Sequence, residues 1–548
     1  MGGKVSPVAH DTGTTGGRTE LWDRVFAPLA AVTRAPLASY HAVVGVSALL
    51  SLVGLGMVLS SSNVLAFSGG GTPFDIFLRQ AMFVALGWIG FVAALRMRFS
   101  LLRRMATPLL GFSVLLLVAV LLPGVGSEVN GSRGWINLGL FSIQPAEIAK
   151  LAFIVWSASV VGPRMRTGYW RDLLWPSAAG FVLVAGLIVV APDLGMATSV
   201  TIAYLCLLWF AGYPARHFAW VLGLGTVVFG VMAVTMSYRF DRLRTFTSTF
   251  VGDFSNPQGD AYQSYQGMLS LADGGLFGVG LGQSSAKWFY LPEATNDFIF
   301  AIIGEELGWF GAAAVVSLYL VLGWAGMRVA MRSVDPFRRL LAGTVTASIV
   351  LQALINIGYV VGLLPVTGLQ LPLISNGGTS AVVTLVSLGL LANCARHEPE
   401  AISAILSSTG RRRRGRLALP LPVPYTPERL LPAGDVPGRS AAGTGARRYG
   451  EPVARPGRGR RPAGPARPVP ASRSARRGDA PAGPVYESVP VAHRPEQRRG
   501  AQPVTGRTAR SVRGREQAGR QQAAPPPRRP AADPAGRPSP IHRGRGRR

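Results

Sequence analysis

Long apolar stretches, separated by short polar segments, recur along roughly the first 400 residues of the chain. Most of them approach the roughly 20 residues that an α-helix needs to cross the hydrocarbon core of a bilayer. The pattern therefore predicts an all-α, polytopic membrane protein with about ten transmembrane helices. The predicted spans are 41–60, 74–95, 105–122, 144–162, 174–191, 194–211, 217–237, 298–326, 340–364 and 373–394.

Composition divides the chain further. The mean hydropathy of +0.29 is typical of membrane spans, whereas the net charge of +29 is not. Residues 411–548 resolve the conflict, because they carry 32 arginines against eight acidic residues. We predict a cytoplasmic segment at 1–40, a transmembrane domain at 41–396, and an Arg/Pro-rich cytoplasmic tail at 397–548 that cannot bury a core and is disordered.

The distribution of arginines predicts the orientation, because cytoplasmic loops are enriched in Lys and Arg. With both termini in the cytoplasm, the basic loops all lie inside, and 238–297 becomes a long extracytoplasmic loop. The inside loops then contain Arg96, Arg98, Arg103, Arg104, Arg164, Arg166, Arg171, Arg216, Arg328, Arg332, Arg338 and Arg339. Apolar residues at helical spacing in 21–32 indicate either an interfacial helix or an ordinary polar leader.

Ionisable residues inside a membrane are costly and are functional candidates by default. Glu147 and Lys150 lie at i and i+3 in the fourth span, where they can pair on one helix face. This pair either lines a functional cavity or only fixes helix packing. Glu305 and Glu306 lie in the eighth span, and Asp193 lies at the turn between the fifth and sixth spans.

Asp297 ends the long loop, next to a strongly apolar helix. It is either the N-cap of that helix or a chemical group, and the cap alone would not require Asp because Asn and Thr also cap helices. Lys287 precedes it beside three aromatic residues, an arrangement that suits either a phosphate head group or interfacial anchoring. The sequence shows no metal-ligand cluster, nucleotide-binding loop or nucleic-acid-binding motif.

Four segments resemble a known family. They are NGSRGWINLGLFSIQPAEIAK at 130–150, APDLG at 191–195, the stretch from AYQSYQ to GEELG at 261–308, and LPVTGLQLPLISNGGTS at 364–380. The chain resembles the SEDS proteins (shape, elongation, division and sporulation), most closely the FtsW branch and its actinobacterial members. Together the segments span most of 41–396, and the tail lies outside the resemblance.

The resemblance implies a peptidoglycan glycosyltransferase that polymerises lipid II during cell division at the septum. It implies a cognate class B penicillin-binding protein and other division proteins as partners, and Mg²⁺ or Mn²⁺ as a cofactor. It marks Asp297 as the essential acid and general base. Substrate-binding roles fall on Trp135, Glu147, Lys150, Arg239, Arg242 and Lys287. Thr295 and Asn376 depart from the family pattern, where His and Tyr are usual, so no role rests on those two positions.

Two other functions fit the same sequence. A lipid II flippase would also use intramembrane Glu147, Lys150 and Glu305, but it needs an aqueous path to both faces. A non-catalytic scaffold of the division machinery would work through its basic tail, which is suited to an acidic cytoplasmic partner or anionic lipid. Loss of Asp297 would be harmless to a scaffold.

Overall fold

The computed structural model describes residues 35–68, 74–129, 131–139, 141–165, 170–235, 260–288, 291, 293–409 and 419–424. All of these lie in the first of two compact units, Met1–Gly457. The second unit, Arg458–Arg548, lies outside the described residues. The segment predicted as an interfacial helix or leader, together with Arg239 and Arg242, also lies outside them.

The described residues are mainly helical. In chain order, the helices before the long loop are α1 (Ala38–Ser68), α2 (Asp75–Arg96), α3 (Phe99–Leu121), α4 (Pro145–Arg164), α5 (Trp170–Val190), α6 (Leu194–Ala211) and α7 (Ala215–Thr235). The helices that follow are α8 (Asp260–Asp273), α9 (Ile299–Arg332), α10 (Pro336–Val360), α11 (Gly378–Arg396) and α12 (Pro399–Thr409).

Each of the ten predicted spans coincides with one of these helices. Eight of them, α1 to α4, α6 and α9 to α11, are long and apolar enough to cross a membrane. The apolar part of α5, Trp175–Val190, is shorter. The outward faces of α2 and α3 expose large side chains such as Leu78, Ile89 and Leu115, as expected where the neighbour is lipid. The protein is a multi-pass membrane protein.

The structure departs from the all-α prediction between α3 and α4. There the chain forms an antiparallel sheet of β1 (Gly126–Val129), β2 (Ser132–Asn137) and β3 (Ser142–Ile143), in the order β1-β2-β3. The strands are too short, and too rich in Gly, Ser and Asn, for their sequence pattern to predict them.

Two boundaries also differ from prediction. The last span begins at Gly378 rather than at 373, because 361–377, which contains Pro365 and Pro372, folds as a loop instead of continuing the helix. The predicted disordered tail at 397–548 contains α12, and residues 419–424 are described beyond it. The rest of that tail lies outside the described residues.

α10 is central, with α4, α6, α9 and α11 packed around it. α9 is broken at Gly308, whose backbone (φ 68, ψ −169) leaves the helical region. A glycine-rich loop after α8 satisfies the freed backbone groups: the amide of Val279 donates to Glu305 O at 2.9 Å, and that of Trp309 donates to Gly275 O at 2.9 Å. Such pairing is required for a break in a membrane helix.

Candidate functional site

Two loops meet at one end of the bundle, and Asp297 lies on one of them. One is the segment 293–298 that leads into α9, and the other is the loop 361–377 between α10 and α11. The backbone amide of Asn376 donates a hydrogen bond to Thr295 O at 3.0 Å, and Ser375 Oγ donates one to Asn296 O at 2.6 Å. The second loop therefore holds the backbone immediately before Asp297.

Asp297 itself is half-buried. The N-cap of α9 is Phe298, which makes no side-chain capping hydrogen bond, so Asp297 lies one position before the cap. Its carboxylate Oδ2 lies 3.7 Å from the place where a Cβ on Gly368 would be. The carboxylate therefore faces Gly368 in the loop 361–377. This glycine has a φ of +73, a backbone conformation that favours glycine, and it presents no side chain to the carboxylate.

Glu147 and Lys150 form the pair that their spacing predicted. Lys150 Nζ lies 2.8 Å from Glu147 Oε2 near the start of α4, and both side chains are buried. Lys150 Nζ also donates to Gln352 Oε1 at 3.0 Å, and Ser199 Oγ donates to the same oxygen at 3.2 Å. The pair therefore ties α4 to α6 and α10.

α10 links this pair to Asp297 through three buried residues, Gln352, Asn356 and Tyr359, which we call the α10 polar stripe. Gln352 Nε2 donates to Gln370 O at 3.0 Å in the loop 361–377, while Asn356 and Tyr359 contact the backbone of Asp297. The sequence analysis missed this stripe. The available signal was polar residues at i, i+4 and i+7 within an apolar span.

Asp193, at the turn between α5 and α6, has a structural role. Its Oδ1 accepts a hydrogen bond from Met196 N at 2.9 Å and so caps α6, while its Oδ2 accepts from Gln144 Nε2 at 3.1 Å. Gly195 follows, and a Cβ there would lie 2.8 Å from Thr367 O. The start of α6 therefore packs directly against the loop that faces Asp297.

The structure places Lys287 differently from the prediction. Its ammonium is buried, lies 3.4 Å from Glu306 Oε1 and donates to Gly282 O. Glu306 is fully buried and also accepts from Ser60 Oγ on α1 at 2.6–2.7 Å. A fully buried carboxylate requires a counter-charge, which explains why this lysine turns inward instead of lying at the surface. Its binding of a substrate phosphate stays a prediction.

The neighbouring Glu305 holds the same loop by other contacts. Its carboxylate accepts hydrogen bonds from Ser284 Oγ at 2.7 Å and from Ser285 N at 2.6 Å.

Trp135 lies on β2 opposite Ser127 and is partly buried. Its role stays a prediction.

A small cavity opens between α4, α10 and α11, next to Pro372. Its polar lining consists of Lys150, Ser348, Gln352, Thr384 and Ser387. Within the described part of the chain, no three His, Cys, Asp or Glu side chains converge to hold a metal ion. Mg²⁺ is commonly held by one or two carboxylates together with substrate phosphates, so the divalent cation stays a prediction.

Comparison with known proteins identifies the family. Residues 40–400 match the model of the Cell cycle protein family named for FtsW, RodA and SpoVE. The chain belongs to this family. The match confirms the predicted resemblance to the SEDS proteins, and the matched region covers α1 to the start of α12.

Individual relatives agree with the predicted branch. The chain is 47% identical over 396 residues to a "Probable peptidoglycan glycosyltransferase FtsW" of Mycobacterium tuberculosis, covering 72% of this chain and 75% of the relative. It is 37% identical over 355 residues to "Stage V sporulation protein E" of Bacillus subtilis, covering 64% of this chain and 95% of that one.

One solved structure is described as "Structural coordination of polymerization and crosslinking by a peptidoglycan synthase complex". It is similar to this chain with a TM-score of 0.52 and 28% identity, over 65% of this chain and 96% of that one.

Proposed function

We propose that this protein is a peptidoglycan glycosyltransferase of the FtsW type, which polymerises lipid II into glycan strands during cell division. The names of its FtsW relatives support the activity. The observation that carries the mechanism is the placement of Asp297, a half-buried carboxylate whose backbone is held by α10 and by the loop 361–377.

Asp297 acts as the general base. The hydroxyl of the acceptor sugar attacks the anomeric carbon of the donor, and its proton passes to the Asp297 carboxylate. The new glycosidic C–O bond forms as the bond from that carbon to the diphosphate breaks, and undecaprenyl diphosphate leaves. One base and a single displacement invert the configuration. A positioned base contributes typically about 10²–10⁴-fold to such a step.

The leaving diphosphate requires positive charge. We assign this role to the basic residues at the start of the long loop, Arg239 and Arg242, and to Lys150, whose ammonium borders the cavity. Lys287 serves the same purpose if its loop opens away from Glu306.

The partner is a class B penicillin-binding protein, which would cross-link the glycan that this protein makes. The solved structure of a peptidoglycan synthase complex supports this pairing. We place the protein at the division septum with both termini in the cytoplasm, where its basic tail would meet an acidic partner or anionic lipid.

A flippase is the second candidate, because the cavity beside Lys150 extends along α10 toward Val345 and thus away from Asp297. Purified protein with its transpeptidase partner, reconstituted with labelled lipid II in vesicles, distinguishes the two. We expect glycan polymer on gels and no protein-dependent transfer of lipid II between leaflets. Transfer without polymer would replace the glycosyltransferase with a flippase, and neither activity would leave a scaffold.

A further inference from the structure

Asn356 and Tyr359 are buried polar residues on α10 that the mechanism above does not use. The exposed fraction of each is 0%. A buried polar group is costly unless it is hydrogen-bonded, so their contacts indicate what they do. Both reach the same two backbone oxygens, the carbonyls of Asp297 and Leu369.

The geometry of the Asn356 amide is well defined. Its Nδ2 lies 2.9 Å from Asp297 O and 2.7 Å from Leu369 O, with the hydroxyl of Tyr359 beside it. Three surrounding oxygens fix the nitrogen end of the amide here rather than the oxygen end. The hydroxyl of Tyr359 lies 3.0 Å from Asp297 O and 2.7 Å from Leu369 O.

These contacts fasten two loops to one helix. The amide supplies two protons and the hydroxyl one, and each carbonyl oxygen can accept two hydrogen bonds. Leu369 lies 13 and 10 residues beyond the two α10 residues, whereas Asp297 precedes them by 59 and 62. α10 therefore sets the distance between Asp297 and the loop 361–377.

The carbonyls of the two preceding residues, Thr295 and Asn296, are held by Asn376 and Ser375 of the same loop. Three successive carbonyls are thus fixed, which restrains the backbone rotation that would redirect the Asp297 side chain. The carboxylate remains directed toward Gly368.

We propose that Asn356 and Tyr359 are positioning residues that hold the Asp297 carboxylate in its reactive place. The inference rests on the proposed function, in which Asp297 is the base. A catalytic group misplaced by about 1 Å can cost about 10²-fold in rate. Substrate binding does not depend on these contacts, because neither residue is assigned to the substrate.

The chain offers a matched control in Tyr319. This tyrosine is also fully buried, and its hydroxyl donates to a carbonyl of the same loop, Pro372 O, at 2.5 Å. Among the hydrogen bonds of the described residues, none joins Tyr319 to Asp297. Tyr359→Phe and Tyr319→Phe therefore each remove one buried hydroxyl that contacts the loop 361–377, but only the Tyr359 hydroxyl also contacts the Asp297 carbonyl.

The test measures initial rates of glycan polymerisation against lipid II concentration, together with the thermal midpoint of each purified variant. We expect Tyr359→Phe to lower kcat by about tenfold, with KM unchanged within about twofold. Tyr319→Phe should lower the thermal midpoint by a similar amount and leave kcat within about twofold of wild type. A kcat ratio between the two variants below about threefold would overturn the proposal.

Asn356→Leu provides a second, larger change, because it removes both amide protons while keeping the side-chain volume. We expect kcat to fall by about 10²-fold with KM again unchanged. A rise in KM without a fall in kcat would also overturn the proposal. The proposed function is judged separately by Asp297→Asn: if that variant is inactive while Tyr359→Phe and Asn356→Leu keep the wild-type kcat, only the positioning role fails.

Discussion

The ammonium nitrogen of Lys150 lies 2.8 Å from the Oε2 carboxylate oxygen of Glu147, three residues earlier on α4. Only 10% of the Lys150 side chain and 3% of the Glu147 side chain are exposed. Two opposite charges buried together in this way compensate each other. Removing either one leaves the other as an uncompensated buried charge, which destabilises the fold.

We therefore predict that Glu147→Gln and Lys150→Met each lower the free energy of unfolding by about 3–5 kcal/mol. The double variant should be milder than either single variant, because no charge remains buried without its partner. Unfolding of all four proteins in one detergent checks this. Effects that simply add would mean that the two charges do not interact.

Gly54 and Gly56 on α1 give a sharper test of packing. A Cβ at Gly54 would lie 2.2 Å from Leu373 O, whereas a Cβ at Gly56 would meet nothing within 4 Å. Gly54→Ala must displace the backbone of the loop 361–377, which we expect to cost about 1–3 kcal/mol. Gly56→Ala meets no neighbour and should leave stability unchanged or raise it by up to about 1 kcal/mol, because Ala favours the helix over Gly. Equal thermal midpoints for the two variants would contradict this close approach.

Features set by local pattern were predictable from the sequence. The ten apolar helices follow from run length, and the Glu147–Lys150 pair follows from its i, i+3 spacing. Contacts between distant segments were not predictable. Asn356 reads as one polar residue in an apolar helix until the fold brings Asp297 O within 2.9 Å of it. Lys287 resembled a surface cation because its partner Glu306 lies 19 residues further along the chain, inside α9.

His397, directly after α11, predicts a pH dependence. Burial, together with the charges of Arg338 and Arg396, lowers its pKa to about 4, although the hydrogen bond to Asn393 O and the charge of Asp335 act in the opposite direction. Between pH 6.5 and about 4 the unfolded chain therefore binds a proton that the folded protein does not. The contribution of His397 to the free energy of unfolding is therefore fully present above pH 6.5. It falls as the pH drops, by at most about 3 kcal/mol.

His397→Gln isolates this effect. The neighbouring Glu398, whose pKa is raised by burial, acts in the opposite direction and remains in both proteins. We expect the free energy of unfolding to fall less between pH 7.5 and pH 5 for His397→Gln than for wild type. This expectation holds whatever the difference in stability between the two proteins at pH 7.5. Parallel pH curves would show that the histidine stays neutral in both states or charges in both.

The orientation can be tested with single cysteines, because the native Cys206 and Cys394 are both buried. Ser264 lies on α8 in the long loop and Ser403 lies exposed on α12 after the last span. A membrane-impermeant maleimide should label Ser264→Cys in intact cells, and Ser403→Cys only after permeabilisation. The reverse pattern would move Asp297 to the cytoplasmic side and end its assignment as the base.

Asp297→Asn is the central test of the mechanism. Asn keeps the size and hydrogen-bonding reach of the side chain, and the backbone contacts of Asp297 to Asn356 and Tyr359 do not involve the carboxylate. The variant should therefore fold and insert normally, but an amide cannot accept a proton as a general base. We expect polymerisation of lipid II to fall by at least about 10²-fold.

Asp273→Asn supplies the matched control, since Asp273 is an exposed carboxylate at the end of α8 in the same long loop. It undergoes the same chemical change and should retain full activity, which separates loss of a base from loss of a charge near the membrane surface. Both variants should match wild type in thermal midpoint. If Asp297→Asn polymerises lipid II as fast as Asp273→Asn, proton transfer belongs to another carboxylate. Glu147 would be the next residue to test, because it is buried beside the ammonium that borders the cavity.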